Sequence, residues 1–244
     1  MSRIIFQKTY IIVLPSFEST AVHKHPFLHL FYNAAGCRIS TEHQVVQGSC
    51  IMTGPNVLHA VPAGNAISFF LLIDPTSHLA ELLQNRYLQG SSCFSIQLPE
   101  YPPADRLNSV PDDQIIQIVE DFLAQLGLFS EPDSMLDGRI QQLIENIISG
   151  QWLACSVREI AASMYLSESR LTHLFKESAG ISLKSYLVIQ RLERAYRCIT
   201  SGEKLTRSAH ESGFASSAHL AYTCKKLTGI SVSDVLKKRK TAEF

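Results

Sequence analysis

Residues 157–183 and 206–232 are written on one template, and a template used twice fixes the unit from which a chain is built. Ser167-x-x-x-Leu171-x-x-x-Phe175-Lys176-x-x-x-Gly180-Ile181-Ser182 recurs as Ser216-x-x-x-Leu220-x-x-x-Cys224-Lys225-x-x-x-Gly229-Ile230-Ser231, at a constant offset of 49. Upstream, Ala161 and Leu166 recur as Ala209 and Phe214 at an offset of 48, so the second copy has one extra residue in its turn. Each copy reads as a short helix, a tight turn and a second helix, which is the helix-turn-helix plan for entering the DNA major groove. Two units in tandem predict a protein that reads two successive grooves.

The rest of the chain is of a different kind. At 244 residues it is long enough for two domains, and an apolar content of 45% supports real cores. No run of 18 apolar residues predicts a membrane span. The start, Met1-Ser2-Arg3-Ile4-Ile5-Phe6, lacks a signal-peptide pattern. Six cysteines, at 37, 50, 93, 155, 198 and 224, are scattered without a C-x-x-C pair, so a reduced, cytoplasmic protein is expected. The neutral total charge hides a split. Residues 1–139 hold 7 Lys+Arg against 13 Asp+Glu, a net of −6, whereas residues 140–244 hold 15 against 9, a net of +6. An acidic sensor or partner domain joined to a basic nucleic-acid module fits that split.

Residues 4–14 and 27–73 carry short β-rich runs: Ile4-Ile5-Phe6, Tyr10–Leu14, Phe27–Tyr32, Val45-Val46, Ser49–Met52 and Ile67–Ile73. Turn material separates them at Ala35-Gly36, Gln47-Gly48, Gly54-Pro55-Asn56 and Pro62–Asn65, which predicts a small sandwich or barrel. Residues 98–113 read as loop. Ile115, Ile116, Val119, Phe122, Leu123 and Leu126 then recur at helical spacing over 113–127, and Ser130-Glu131-Pro132-Asp133 breaks that helix. Its wide apolar stripe must pack on something, either a second copy or its own barrel. Helices are expected over 137–149, 156–164, 167–178, 182–200, 204–211 and 216–228. The fold class is α+β with two domains: residues 1–98 a sensing domain, 99–136 a linker with a candidate dimerisation helix, and 137–244 the DNA-binding domain.

In the first unit Val157, Ile160, Ala161 and Met164 form the apolar stripe of the support helix. Ser167 is a good N-cap for the next helix. Along that helix Leu171, Leu174, Phe175 and Ser178 face one way, whereas Ser169, Thr172, His173 and Lys176 face the other. The polar face suits base edges and phosphates. The matching positions of the second unit are Ala218, Ala221, Tyr222 and Lys225, followed by Lys226. Alanines touch thymine methyls but donate nothing, while the lysines attract phosphates. Between the units Leu183, Leu187, Ile189, Leu192, Ala195, Tyr196 and Ile199 suit one long helix, with Lys184, Arg191, Arg194 and Arg197 on its surface. A rigid helix would fix the separation of the two heads near one DNA turn, about 34 Å.

Taken together, Ile160-Ala161, Ser167, Leu171, Phe175-Lys176, Gly180, Tyr186-Leu187, Arg191-Leu192, Ala195, Gly213-Phe214, Lys225 and Gly229 match a known pattern. Residues 140–240 resemble the DNA-binding domain of the AraC/XylS family of bacterial transcription regulators. The resemblance implies base-reading positions at Ser169, Thr172 and His173, and at Ser217, Ala218, Ala221 and Tyr222. Arg170, Lys176, Lys225 and Lys226 complete the implied DNA-facing set. It also implies promoter DNA, RNA polymerase and a second copy of the chain as partners. Departures gather in the second unit. Ser208 stands at an apolar position, Tyr222 where Arg is usual, Cys224 at a core Phe, and Val232-Ser233-Asp234-Val235-Leu236 at the closing Pro-x-x-Tyr-Arg. They predict weaker base readout there.

His23-x-His25-x-x-x-His29, then Gly36, Gly48 and Pro55-x-x-x-His59, resembles the two-motif pattern of cupin barrels, which are usual sensor domains in that family. In metal-binding cupins the positions matching His23, His25, His29 and His59 hold the ion, and four histidines suit zinc, nickel or iron. Three uses stay open here: a metal site, a pocket for an organic effector, or neither. The leading reading is a sequence-specific regulator controlled by a small molecule. The alternative is a metal-dependent cupin, either enzyme or metal sensor. The motif holds no Glu or Asp to act as general base, so a non-enzyme is expected.

Overall fold

The computed structural model describes residues 3–15, 19–98, 107, 109–128, 138–179, 181–228 and 231–233. It divides into two compact units, Met1–Glu131 and Pro132–Phe244. The predicted loop residues 99–106 and 108, the breaker at 130–133, Gly180, Gly229, Ile230 and the closing 234–236 lie outside the described residues.

The first unit is an antiparallel sheet with helices. Its strands are β1 (Arg3–Phe6), β2 (Tyr10–Leu14), β3 (Leu28–Thr41), β4 (Val45–Thr53), β5 (His59–Ala60), β6 (Phe69–Ile73) and β7 (Cys93–Ile96). The order is β1-β2-β6-β3-β4-β7, with β5 paired to β3. Side chains alternate between faces of a strand. Leu28, Leu30 and Tyr32 of β3 therefore share a face with Met52 and Cys50 of β4 and with Ile73, Leu71 and Phe69 of β6, their registered partners. That face joins one core with Ile12 and Leu14. The intervening residues His29, Phe31, Ile51, Thr53, Phe70 and Leu72 point the other way and are buried as well.

Two expected turns lie inside strands. Ala35-Gly36 falls in β3, within the register shift between Tyr32 and Cys37. Gln47-Gly48 falls in β4, so the expected runs Val45-Val46 and Ser49–Met52 are one strand. Gly48 serves close approach rather than chain reversal. A Cβ there would stand 3.1 Å from Ser95 Cβ and 3.2 Å from the Ile96 carbonyl, so β7 lies close against that point. The short helix α1 (His78–Leu83) went unanticipated, although Ser77 caps it by accepting from the Ala80 N–H. β5 and β7 were also missed.

The amphipathic helix is α2 (Asp112–Gln125), one residue from the expected start. Ile115, Val119, Phe122 and Leu123 are all at most 1% exposed and belong to the core of the sheet. Phe122 packs on Tyr32 at 4.6 Å and on Phe69 at 5.5 Å between ring centroids. Arg3 ties the helix start to β1, through the Asp112 carboxylate and the Val110 carbonyl. Fully burying such a side chain stabilises by about 1.5–3 kcal/mol, an upper figure given a compact unfolded chain. Of the two covers open to the stripe of the expected 99–136 segment, its own sheet is the one observed. The stripe is covered by its own sheet, and the helix belongs to the first unit.

The second unit is helical: α3 (Gly138–Ile148), α4 (Val157–Ser163), α5 (Glu168–Ala179), α6 (Leu183–Thr200), α7 (Leu205–Glu211) and α8 (Ser217–Thr228). Every start and stop lies within a residue or so of its expectation, because local capping sets them. No helix among the described residues is long and apolar enough to cross a membrane.

Candidate nucleic-acid interface and histidine cluster

In the first helix-turn-helix unit, α4 starts with a capping box. Ser156 Oγ accepts from the Glu159 N–H, and the Glu159 carboxylate accepts from the Ser156 N–H at 2.7 Å. Ser167 caps α5 by accepting from the Arg170 N–H at 3.2 Å. Leu171, Leu174, Phe175 and Ala179 seat α5 in the core, and Phe175 packs on Tyr186 of α6 at 5.4 Å. That leaves Ser169, His173 and Lys176 of the face given by spacing exposed, together with Arg170. Two of the expected base readers are partly engaged. Thr172 is half-buried, and its hydroxyl donates back to the Glu168 carbonyl at 2.9 Å, which leaves its oxygen to act as an acceptor. His173 Nε2 lies 3.2 Å from the Glu177 carboxylate, an exposed surface contact.

In the second unit, Ser216 caps α8 by accepting from the His219 N–H at 3.1 Å. Ala218, Tyr222, Lys225 and Lys226 are exposed, whereas Ser217 and Ala221 are half-buried. The Lys226 ammonium sits 5.3 Å from the centroid of the Tyr222 ring. His219, outside the set expected from the sequence, is exposed beside Ala218, with its ring edge-on to Phe214 at 5.4 Å. The repeat itself could have found it, since the 49-residue offset carries Arg170 onto His219.

The arginines of α6 serve the scaffold. Arg191 donates to the Leu153 carbonyl at 2.6 Å and the Cys155 carbonyl at 3.1 Å. Arg194 donates to the Glu211 carbonyl at 3.0 Å, and Arg197 pairs with Glu193. Gly213 sits under the Arg191 contact with φ +76, where a Cβ would lie 3.0 Å from Ala154 Cα.

The histidines of the first unit come together. His23 and His59 form a two-way backbone bridge, with N–H to carbonyl distances of 3.0 and 2.9 Å. Their rings lie 4.5 Å apart, and His59 lies 5.4 Å from His25. Ligand nitrogens of His23, His25 and His59 all fall within 4.8 Å of one another. His29 is not in that trio. It is stacked on Phe31 at 4.7 Å and lies 3.3 Å from Thr53 Oγ1, although its ring is 4.5 Å from those of His25 and His59. Three of the four expected histidines thus bring ring nitrogens together, and His29 stands directly beside them. Burial holds His25 down to about pH 3 for its protonation, helped by repulsion from His59 and His23. Burial likewise lowers His59 to about 4, against the Val57 carbonyl that favours its charged form, and pushes His29 well below the ordinary value. At neutral pH all three rings are neutral.

Residues 160–238 match the family described as a helix-turn-helix domain. No curated protein matches the chain significantly. Among solved structures, the C-terminal domain of AraT, a response regulator from Geobacillus stearothermophilus, is 20% identical, with 43% of this chain and 89% of that one covered and a TM-score of 0.40. The C-terminal domain of the response regulator yesN from Fusobacterium nucleatum is 25% identical over 39% of this chain and 96% of that one, with a TM-score of 0.37. ToxT from Vibrio cholerae is 13% identical over 95% and 97%, with a TM-score of 0.47. With the helices of both units capped and seated as described, residues 160–238 are a helix-turn-helix domain.

Proposed function

We propose that this chain is a cytoplasmic, sequence-specific transcription regulator whose cupin-like first unit holds a small effector that sets promoter binding. Promoter DNA and RNA polymerase are its macromolecular partners. The observation that carries the reading is α5. Its buried residues anchor it, while Ser169, Arg170, His173 and Lys176 stand exposed along it. Hydroxyl, guanidinium, imidazole and ammonium groups suit base edges and phosphates. The effector end rests on the second buried face of the sheet, where His29, Phe31, Phe70 and Leu72 lie beside His23, His25 and His59. An apolar lining with a few convergent polar groups is the usual make-up of a small-molecule site.

Selection from randomised duplexes with the purified chain tests this. An enriched site is expected, bound more tightly than scrambled DNA and with a steep salt dependence. Lys176→Ala should weaken both duplexes alike and reduce the salt slope by about 1. Selection without enrichment overturns the proposal.

A further inference from the structure

We propose that His219 and Lys226, on one flank of α8, grip phosphates of a single DNA strand, and that His219 is the contact that positions the second helix-turn-helix unit. The inference rests on the proposed DNA-binding reading and names the residue by which that unit holds one wall of the groove.

Helix geometry divides α8 into a centre and two flanks. Leu220 is 1% exposed and marks the side turned to the core. At 3.6 residues per turn, Ala218, Tyr222 and Lys225 stand opposite it. His219 and Lys226 occupy one flank, and Ser217 and Ala221 the other. His219 and Lys226 are exposed, whereas Ser217 and Ala221 are half-buried. A helix with its side chains is about 10–12 Å across, and the major groove is about 12 Å wide. A helix lying in the groove therefore turns its centre to the base edges and its flanks to the phosphate walls. The exposed flank of α8 brings two nitrogen donors to one wall.

The charge of that flank is inverted between the two units. The 49-residue offset carries Arg170, His173 and Glu177 onto His219, Tyr222 and Lys226. In α5 the Glu177 carboxylate closes the flank, 3.2 Å from His173. In α8 the same place holds the Lys226 ammonium, 5.3 Å from the Tyr222 ring. The α8 sequence contains no Asp or Glu, so no carboxylate on this helix repels a phosphate.

His219 is also held in place. Its ring stands edge-on to Phe214, which is 5% exposed and whose N–H donates to the Ala209 carbonyl at 2.9 Å. The His219 N–H is fixed by Ser216 Oγ at 3.1 Å. Among the described residues nothing takes up its ring nitrogens in a hydrogen bond. An imidazole carries at least one N–H in either protonation state, so a donor is always present for a phosphate oxygen. A ring already anchored loses little freedom on binding.

The test uses the full-length chain with two labelled duplexes, the selected site and a random sequence. His219→Phe keeps a ring against Phe214 and removes the N–H. It should raise Kd by about 3–10-fold on both duplexes, with the melting temperature unchanged. His219→Gln, whose amide donates, should recover most of that loss. Lys226→Ala should weaken both duplexes and lower the salt slope by about 1. In phosphate ethylation interference, the positions released by His219→Phe and by Lys226→Ala should lie on the same strand. Unchanged Kd for His219→Phe overturns the contact. A loss confined to the selected site, which marks a base reader, overturns it as well, and so does release on opposite strands. If His219→Phe melts early, the wild type decides through nuclear magnetic resonance, because random duplex must shift the His219 imidazole; no shift overturns the contact. If selection enriches no site, the regulator reading fails while the random duplex still reports on His219.

Discussion

The two helix-turn-helix units share a template and differ in how firmly each recognition helix is held. In the first, four buried side chains seat α5, and Phe175 is closed in by Tyr186. In the second, Leu220 is the one buried apolar side chain among the described residues of α8, and Cys224 is half-buried at the place of Phe175. The support helices differ as well. α4 has Ile160 in its core and a capping box, whereas α7 has Ser208 there and no side-chain cap at Lys204. Ser208 spends its hydroxyl on the Lys204 carbonyl, and Ser212 is buried with its hydroxyl unpartnered. Arg194 braces α7 from outside, and Arg207 pairs with Glu203 and Glu211. Exposed pairs of that kind contribute little to stability. One repeat can therefore be kept in outline while its core is traded for surface bracing. The unit with the better-seated helix also exposes the face richer in hydrogen-bonding side chains.

The largest expected contrast is in the core. Phe175→Ala should destabilise the helical unit by about 3–5 kcal/mol, whereas Cys224→Ala should cost about 1 kcal/mol or less. Urea denaturation of the full chain with hydrogen exchange read on α5 and α8 measures both. Equal losses would end the claim of asymmetry.

The turn gives the next contrast. Tyr165 and Gly213 occupy equivalent positions, with φ +55 and +76. Tyr165 is 97% exposed, so Tyr165→Gly relieves a left-handed side chain and should be neutral or stabilising by up to about 1 kcal/mol. Gly213→Ala should cost about 1–3 kcal/mol, because its Cβ would press on the backbone of Ala154 and Leu153. Similar melting shifts for the two changes would show that the loop near 154 yields.

On DNA, His173→Ala should lose about 1–3 kcal/mol on the selected site and little on random duplex. Tyr222→Ala should lose about 1 kcal/mol or less on either. Anisotropy titrations decide, and a larger site-specific loss at Tyr222 would reverse the ranking of the two faces.

The smallest contrast concerns two serines. Ser156→Ala removes a cap and should destabilise by about 1 kcal/mol. Ser212→Ala removes an unpartnered buried hydroxyl and should be neutral or stabilising by about 1 kcal/mol. Thermal melts of both would expose a hidden partner of Ser212 if it, too, destabilises.

What the sequence by itself determined is what local interactions determine. The helices of the second unit and the exposed face of α5 follow from periodicity and capping between residues a turn apart. The partners of those faces lie far along the chain, and there tertiary structure decided. The stripe of α2 reads alike whether a second copy or its own sheet covers it, and only the packing of Phe122 on Tyr32 and Phe69 chose the sheet. Arg191 and Arg194 look like surface charges until the carbonyls of residues 153, 155 and 211 arrive beneath them. Gly48 reads as a turn because its need, room for β7, comes from residues almost fifty positions away. Four histidines at cupin spacing could not be sorted by spacing alone. The bridge between His23 and His59 gathers three of them, while the pleat of β3 turns His29 toward Thr53 and Phe31, because strand pairing is set by distant residues that no local pattern encodes.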